Sequence, residues 1–269
     1  MKTKLCICLV LSVSLIVSSC KKPDPPATGA RIPCVPQNLQ ASVIAFYPFT
    51  NGSINDFSGK NHHLSNTNGV VAAADRTGNP NCAFEFNNSA GQDQFFTTAN
   101  TAFLNGLTEF SVSLWYQPLD TSRDIKKFEV LVGRDSGRAC PDRRGQWSVG
   151  LYNCRKAVFG RHNSAWDNSI TGGGCEPELV VRTGTWHHLA ATFTPTGTFG
   201  NEIRIYRDGI MQWAIYGNAS CRGGADVKDT GDLFLGLDYT GRLDDVILFD
   251  KMLTHNEVTT LSQMPTCCQ

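Results

Sequence analysis

The chain has 269 residues, 24 of them basic and 24 acidic, for a formal net charge of zero, with 41% hydrophobic and 10% aromatic residues. That is the composition of a folded domain with a real core, so a disordered chain is excluded. The basic residues gather on no one predicted strand or helix, which argues against nucleic acid as a partner.

The first element is "MKTKLCICLVLSVSLIVSSC", with two lysines, an apolar run from Leu5 to Val17 and small residues before Cys20. It reads as an export signal over residues 1–19, too short and wrongly flanked for a stop-transfer helix. The ending Val17-Ser18-Ser19-Cys20 resembles the bacterial lipoprotein box, which implies acylation of Cys20 and attachment to the membrane through the lipid anchor alone. The expected location is the cell envelope, at the outer membrane. Residues 20–41, beginning "CKKPDPPATGARIPCVPQ", are proline-rich and are expected to form an extended tether. About 230 residues then remain, which suits one large all-β domain over 42–269.

Of eleven cysteines, Cys6 and Cys8 lie in the signal and Cys20 is the acylation site, which leaves Cys34, Cys82, Cys140, Cys154, Cys175, Cys221, Cys267 and Cys268. An even set in an exported chain predicts disulfides. One candidate pair is Cys140 with Cys154, which flank a hairpin element, and a second is Cys34 with one of the two terminal cysteines. Adjacent cysteines are too strained to bridge to each other, so Cys267 and Cys268 are expected to have separate partners. No C-x-x-C pair occurs, so a zinc ribbon is not expected.

Short apolar or alternating runs then follow between Gly, Asn and Asp clusters: 43–49, 82–87, 110–118, 128–134, 147–152, 156–161, 186–195, 201–209, 211–217, 233–237 and 243–249. Many short strands with turn signals between them predict a sandwich or barrel. In "FSVSLWYQP", Phe110, Val112, Leu114 and Tyr116 alternate with Ser111, Ser113 and Trp115, as a strand of a two-layer sandwich would. His187 and His188 fall on opposite faces of their strand and cannot chelate one metal together. Trp115 and Trp186 read as packing aromatics. Asp208-Gly209 accepts the positive φ angles of a tight hairpin turn. "THNEVTTLSQM" is the one helical segment, with Thr254 and Glu257 as a capping box and Val258 and Leu261 as its apolar edge.

Taken in order, "AFYPFTNGSINDFSGKNHH", "FSVSLWYQP", "GTWHHLAATF", "IRIYRDG" and "GRLDDVILFDKMLTHNEVTTL" resemble laminin G-like domains of the concanavalin A-like lectin/glucanase superfamily, in the bacterial lipoprotein variety. The resemblance implies an all-β, two-sheet antiparallel jelly-roll sandwich with one short C-terminal helix. It also implies a structural calcium between the first loop and the last strand. On this chain the side-chain ligands would be Asp56 and Asp244, with carbonyl oxygens from Gly59, Asn61 or His62. Strand parity selects Asp244 over Asp245 if Val246 and Leu248 face the interior. The ion-free alternative is that Asp56 closes an Asx turn and Asp244 accepts backbone N–H groups.

Glycosidases of this fold that use paired glutamates carry them on one strand as E-x-D-x-x-E or E-x-D-x-E, and no such run occurs. Nor is there a G-x-S-x-G elbow, an H-E-x-x-H helix or a phosphate loop. The expectation is therefore a noncatalytic binding module, with carbohydrate as the partner implied by the resemblance. Its candidate ligand residues are Arg138, Arg143 and Trp166, in loops that also carry Arg134 and Arg144. The rival readings are an adhesion or structural protein that binds another protein, and a glycoside hydrolase of unrecognised mechanism.

Overall fold

The structure, a computed structural model, describes residues 31–88, 92–120, 128–134, 146–152, 155–161, 166–167, 183–196, 201–217 and 231–267, with backbone alone for 166–167 and 213–217. Its strands in chain order are β1 (Val43–Tyr47), β2 (Ser65–Thr67), β3 (Val71–Ala73), β4 (Ala83–Phe86) and β5 (Phe95–Thr98). Then come β6 (Phe110–Pro118), β7 (Glu129–Gly133), β8 (Trp147–Tyr152), β9 (Lys156–Arg161) and β10 (Trp166–Asp167). The last are β11 (His187–Pro195), β12 (Asn201–Arg207), β13 (Ile210–Gly217), β14 (Leu233–Leu235) and β15 (Gly241–Phe249), before the helix α1 (His255–Ser262).

Among the described residues two antiparallel sheets form. One runs β13-β12-β11-β6-β15-β4-β3 with β1 also on β15, and the other runs β10-β9-β8-β7-β14-β5-β2. The expected jelly-roll sandwich is what the chain folds into. Phe110, Val112, Leu114 and Tyr116 of β6 enter the core between the sheets, with Phe84, Phe86 and Phe96 from the far end. Phe84 and Phe96 meet edge to face at 4.8 Å, a geometry that adds to area burial.

The outer face of the first sheet is not left to water. Ser111 Oγ donates to the Lys251 carbonyl at 2.7 Å and accepts from Leu253 N–H at 2.9 Å, so the chain after β15 folds back across β6. A second apolar cluster forms there, joining Phe46, Ile247, Phe249, Leu253, Val258 and Leu261 to Ile32, Val35 and Leu39. Residues 32–41, expected to be tether, are therefore packed from Ile32 onward. Gln40 ties that segment down by donating to the carbonyls of Ile32 and Val35.

The helix forms as its sequence dictates. Thr254 accepts from Glu257 N–H while the Glu257 carboxylate accepts from Thr254 N–H, a box typically worth about 1 kcal/mol. Val258 and Leu261 are its buried edge. At the Asp208-Gly209 turn both residues have positive φ, 54° and 79°, as the hairpin reading required.

Candidate functional site: the acid pair and the cleft beside it

β15 changes neighbours part-way along. Gly241 to Leu243 pair with β4, and Val246 to Phe249 pair with β1, while β6 runs along its other side. At the changeover the β15–β6 register slips between Asp244 and Ile247, and Asp245 adopts φ 46°. This β-bulge inverts the parity of everything after it. Leu243, Val246 and Leu248 all face the inner core, while Ile247 and Phe249 face outward. The alternation that placed Asp244 inward with Val246 and Leu248 is thereby corrected. Both carboxylates reach the same partner instead.

That partner is Arg76, from the loop between β3 and β4. Its Nη1 donates to Asp244 Oδ2 at 2.7 Å and to Asp245 Oδ2 at 2.8 Å, and its Nη2 donates to the Met264 carbonyl at 3.2 Å. The guanidinium carbon lies 4.4 Å above the centre of the Trp115 ring. Asp75 holds the loop by accepting from Thr77 and Asn79, both backbone and side chain. Burial pushes both Asp244 and Asp245 above the usual carboxylate range, and the like charge of Asp245 raises Asp244 further, against the pull of Arg76.

The expected calcium residues are committed elsewhere. Asp56 Oδ1 accepts from Phe46 N–H at 3.0 Å and Ser58 N–H at 2.8 Å; its Oδ2 accepts from Ser58 Oγ at 2.8 Å and His62 N–H at 3.0 Å. Burial alone would raise this carboxyl, but the donors outweigh it and hold it below its ordinary value. The His62 carbonyl accepts from Tyr47 Oη at 2.7 Å. Gly59 and Asn61 take the left-handed conformation that lets the loop turn. Phe46 N–H and C=O both engage residues 56 and 57, so this loop lies along the edge of β1 away from β15. Asp56 and Asp244 thus have separate partner sets, and no three His, Cys, Asp or Glu side chains gather as a metal set among the described residues. Four donors and a guanidinium occupy the carboxylates that calcium would need, so the expected ligand set does not fit the ion.

The remaining predicted sites divide simply. Arg138, Arg143, Arg144, Cys20, Cys140, Cys154, Cys175, Cys221 and Cys268 lie outside the described residues. Trp166 is described in backbone alone, on β10 opposite Gly160. Arg134, grouped with the loop arginines, is instead buried; it donates to the carbonyls of Gly231 and Leu104, to Thr101 Oγ1 and to Asn105 Oδ1.

Over the exposed side of Trp115 lies a cleft of about 490 Å³, between the β12–β13 turn and α1. Its walls are Asp208, Gly209 and Ile210 on one side and His255, Thr259, Ser262 and Gln263 on the other. Asp208 Oδ2 pairs with His187 Nδ1 at 2.8 Å and its Oδ1 accepts from His188 N–H at 2.9 Å. His188, on the same face as Trp115, is fully buried with Nε2 against Ser113 Oγ at 2.9 Å. Burial pushes its pKa down to about 3, so it is neutral. His187, paired across from Tyr116, points to the other face, as alternation required. Tyr206 stacks on His255, which fixes the helix start over the sheet.

A search of curated proteins finds no match. The Laminin_G_3 family, described as concanavalin A-like lectin/glucanases superfamily, matches residues 88–259. The chain belongs to this family. The matched span omits β1 to β4, which the structure shows to be integral to the laminin G-like sandwich. Among solved structures, domain 4 of AbnA, a GH43 extracellular arabinanase from Geobacillus stearothermophilus, in complex with arabinotriose, is similar at 19% identity and TM-score 0.56, over 82% of this chain and 98% of that one. A botulinum neurotoxin type C structure, from a study of cell entry through two ganglioside molecules, aligns at 15% identity and TM-score 0.59, over 84% of this chain and 51% of that one. The binding domain of botulinum neurotoxin DC in complex with rat synaptotagmin II aligns at 15% identity and TM-score 0.57, over 83% and 52%. The laminin G-like chain thus spans about half the length of the toxin structures it resembles.

Proposed function

We propose that this chain is a noncatalytic carbohydrate-binding module, held at the cell envelope by an acylated Cys20, and that the cleft over Trp115 takes a neutral sugar. The observation that carries the reading is the disposal of the acids. Asp244 and Asp245 are buried and closed on Arg76, and the cleft itself is lined by one carboxylate, Asp208, already tied to His187. Glycoside hydrolysis needs two carboxyl groups facing one bond. A cleft with one bound acid, an aromatic floor and hydroxyl, amide and imidazole groups in its walls instead suits reversible recognition of hydroxyls. The lone carboxylate also disfavours an anionic sugar. That the similar arabinanase domain was solved with arabinotriose, and a similar toxin with gangliosides in view, supports a sugar as ligand for this fold. Fold likeness alone does not assign one.

A protein partner is the second reading. Ile210 and Met211 beside the cleft are 65% and 47% exposed, an apolar pair that a protein surface could cover.

The test is a glycan screen of the purified chain. Binding of neutral oligosaccharides, weakened about tenfold or more by Gln263→Ala or His255→Ala, supports the cleft. Binding lost in Trp166→Ala and kept in the cleft variants moves the site to the loops. Absence of sugar binding, with a protein captured through Ile210 and Met211, supports the second reading; sugar release abolished by one carboxylate substitution would make the chain an enzyme. Incorporation of labelled fatty acid, lost in Cys20→Ala, tests the anchor.

A further inference from the structure

The second apolar cluster brings the two ends of the domain together, and two cysteines meet there. Cys267 is buried within it, and Cys34, half-buried, packs against it. Their thiols lie within reach of each other in this cluster, and Cys267 is also beside Asp245. Both are fixed by their surroundings. Cys34 sits at φ 65°, next to Val35, whose N–H donates to the Pro33 carbonyl at 2.8 Å, while Gln40 clamps the residues on either side. The Cys267 carbonyl accepts from Thr50 Oγ1 at 3.3 Å, and Arg76 Nη2 holds the Met264 carbonyl three residues earlier. Two thiols brought together in one cluster on anchored backbone need little movement to bond.

We propose that Cys34 and Cys267 form a disulfide that staples the two ends of the domain over the Arg76–Asp244–Asp245 group. The oxidant is a donor disulfide, that of an exported thiol oxidoreductase or oxidised glutathione. The more accessible Cys34, as thiolate, attacks one donor sulfur and expels the other as a thiolate. Cys267 then attacks Cys34 Sγ and releases the second donor sulfur. One S–S bond forms and one breaks; the two electrons pass to the donor, and the two thiol protons leave with the donor thiols. The bond closes a loop that spans nearly the whole domain, the case in which a cross-link constrains the unfolded chain most. It also keeps the C-terminal segment over Asp245, so that water does not reach the buried charges.

The experiment uses the full chain exported to an oxidising compartment. Alkylation of the denatured, non-reduced protein is expected to leave Cys34 and Cys267 unlabelled. Fragment-ion sequencing of the cross-linked peptide is expected to place the bond on Cys267 and not on Cys268, with the same link present in Cys268→Ser. Cys34→Ala, Cys267→Ala and the double variant are each expected to lower the unfolding midpoint by a similar 5–10 °C, roughly, because either change removes the whole cross-link. Labelling of both thiols in the wild-type chain overturns the proposal, as does a link from either cysteine to any other. Additive losses in the double variant also overturn it. The labelling result stands even if a variant does not fold.

Discussion

Asp244 and Asp245 are neighbours in the chain, yet their carboxylates converge on one nitrogen, Arg76 Nη1, at 2.7 and 2.8 Å. A regular strand would hold them on opposite faces. The bulge at Asp245 turns both to the same side, where one guanidinium bridges them and offsets one of the two charges, and Trp115 closes its other face.

Removing that cation should be costly. Arg76→Leu leaves two buried acids unpaired and is expected to destabilise the domain by about 3–5 kcal/mol at pH 7 in urea unfolding. The loss should shrink toward acid pH, where the carboxyls are protonated. Asp244→Asn combined with Arg76→Leu should recover part of it. An equal loss at every pH would mean that Arg76 acts through packing alone.

Calcium should leave the domain unmoved. Because Asp56 is saturated by four protein donors, Asp56→Asn is expected to cost about 1–3 kcal/mol through unsatisfied groups, equally in chelator and in millimolar calcium. A midpoint that rises with calcium in the wild type, and no longer does so in Asp56→Asn and Asp244→Asn, would restore the ion that the family resemblance implied.

The pH dependence follows from groups that shift in opposite directions. His188 lies among Ser113, Trp115, Asp208 and Arg76, and its pKa falls from an ordinary 6.5 to about 3, burial being the main cause. Between those values the unfolded chain binds the extra proton, so its contribution is complete above pH 6.5 and is lost as pH falls toward about 3. The slope approaches about 1.4 kcal/mol per pH unit. His62 adds a smaller share in the same direction. Asp244 and Asp245 oppose it: their raised values give stability that is greatest below the unfolded value of 3.8 and lost as pH rises through the folded ones. His188→Gln should flatten the stability profile between pH 6.5 and 4, measured by urea midpoints at each pH.

How far the sequence could be read depended on the range of the interaction. β6, β8 and β9 carry their burial pattern within themselves and match their predicted spans residue for residue. β2, β3 and β5 are three or four residues long, too short to show a period, and were not distinguishable from loop. Arg76 was invisible because its partnership spans 168 residues of sequence, although a buried acid pair demands a cation from somewhere. The bulge was equally hidden, since a left-handed Asp245 leaves no mark on an apolar/polar alternation. The early packing of Ile32, Val35 and Leu39 did leave one: their spacing gives an apolar stripe that the surrounding prolines obscured.

The wall of the cleft depends on a close approach between the β12–β13 turn and α1. Gly209 has φ +79°, and a Cβ built there would lie 2.5 Å from Ser262 Oγ and 3.4 Å from Ser262 Cβ on α1. Gly209→Ala therefore carries two separate penalties. The left-handed backbone costs an L-residue roughly 1–2 kcal/mol whatever surrounds it. The clash with the hydroxyl must be relieved by a Ser262 rotation or by parting the turn from the helix, which would break the Thr259 Oγ1 to Gly209 carbonyl bond and widen the cleft. Ser262→Ala removes the hydroxyl and leaves the Cβ at a tolerable distance. In a double-mutant cycle, Gly209→Ala with Ser262→Ala should thus recover the clash and retain the backbone cost, giving a favourable coupling of about 0.5–3 kcal/mol. If the cleft is the sugar site, Gly209→Ala should weaken binding more than its lost stability alone explains, and Ser262→Ala should restore part of that affinity. Strict additivity in the cycle would show that the turn and the helix do not pack as closely as this geometry requires.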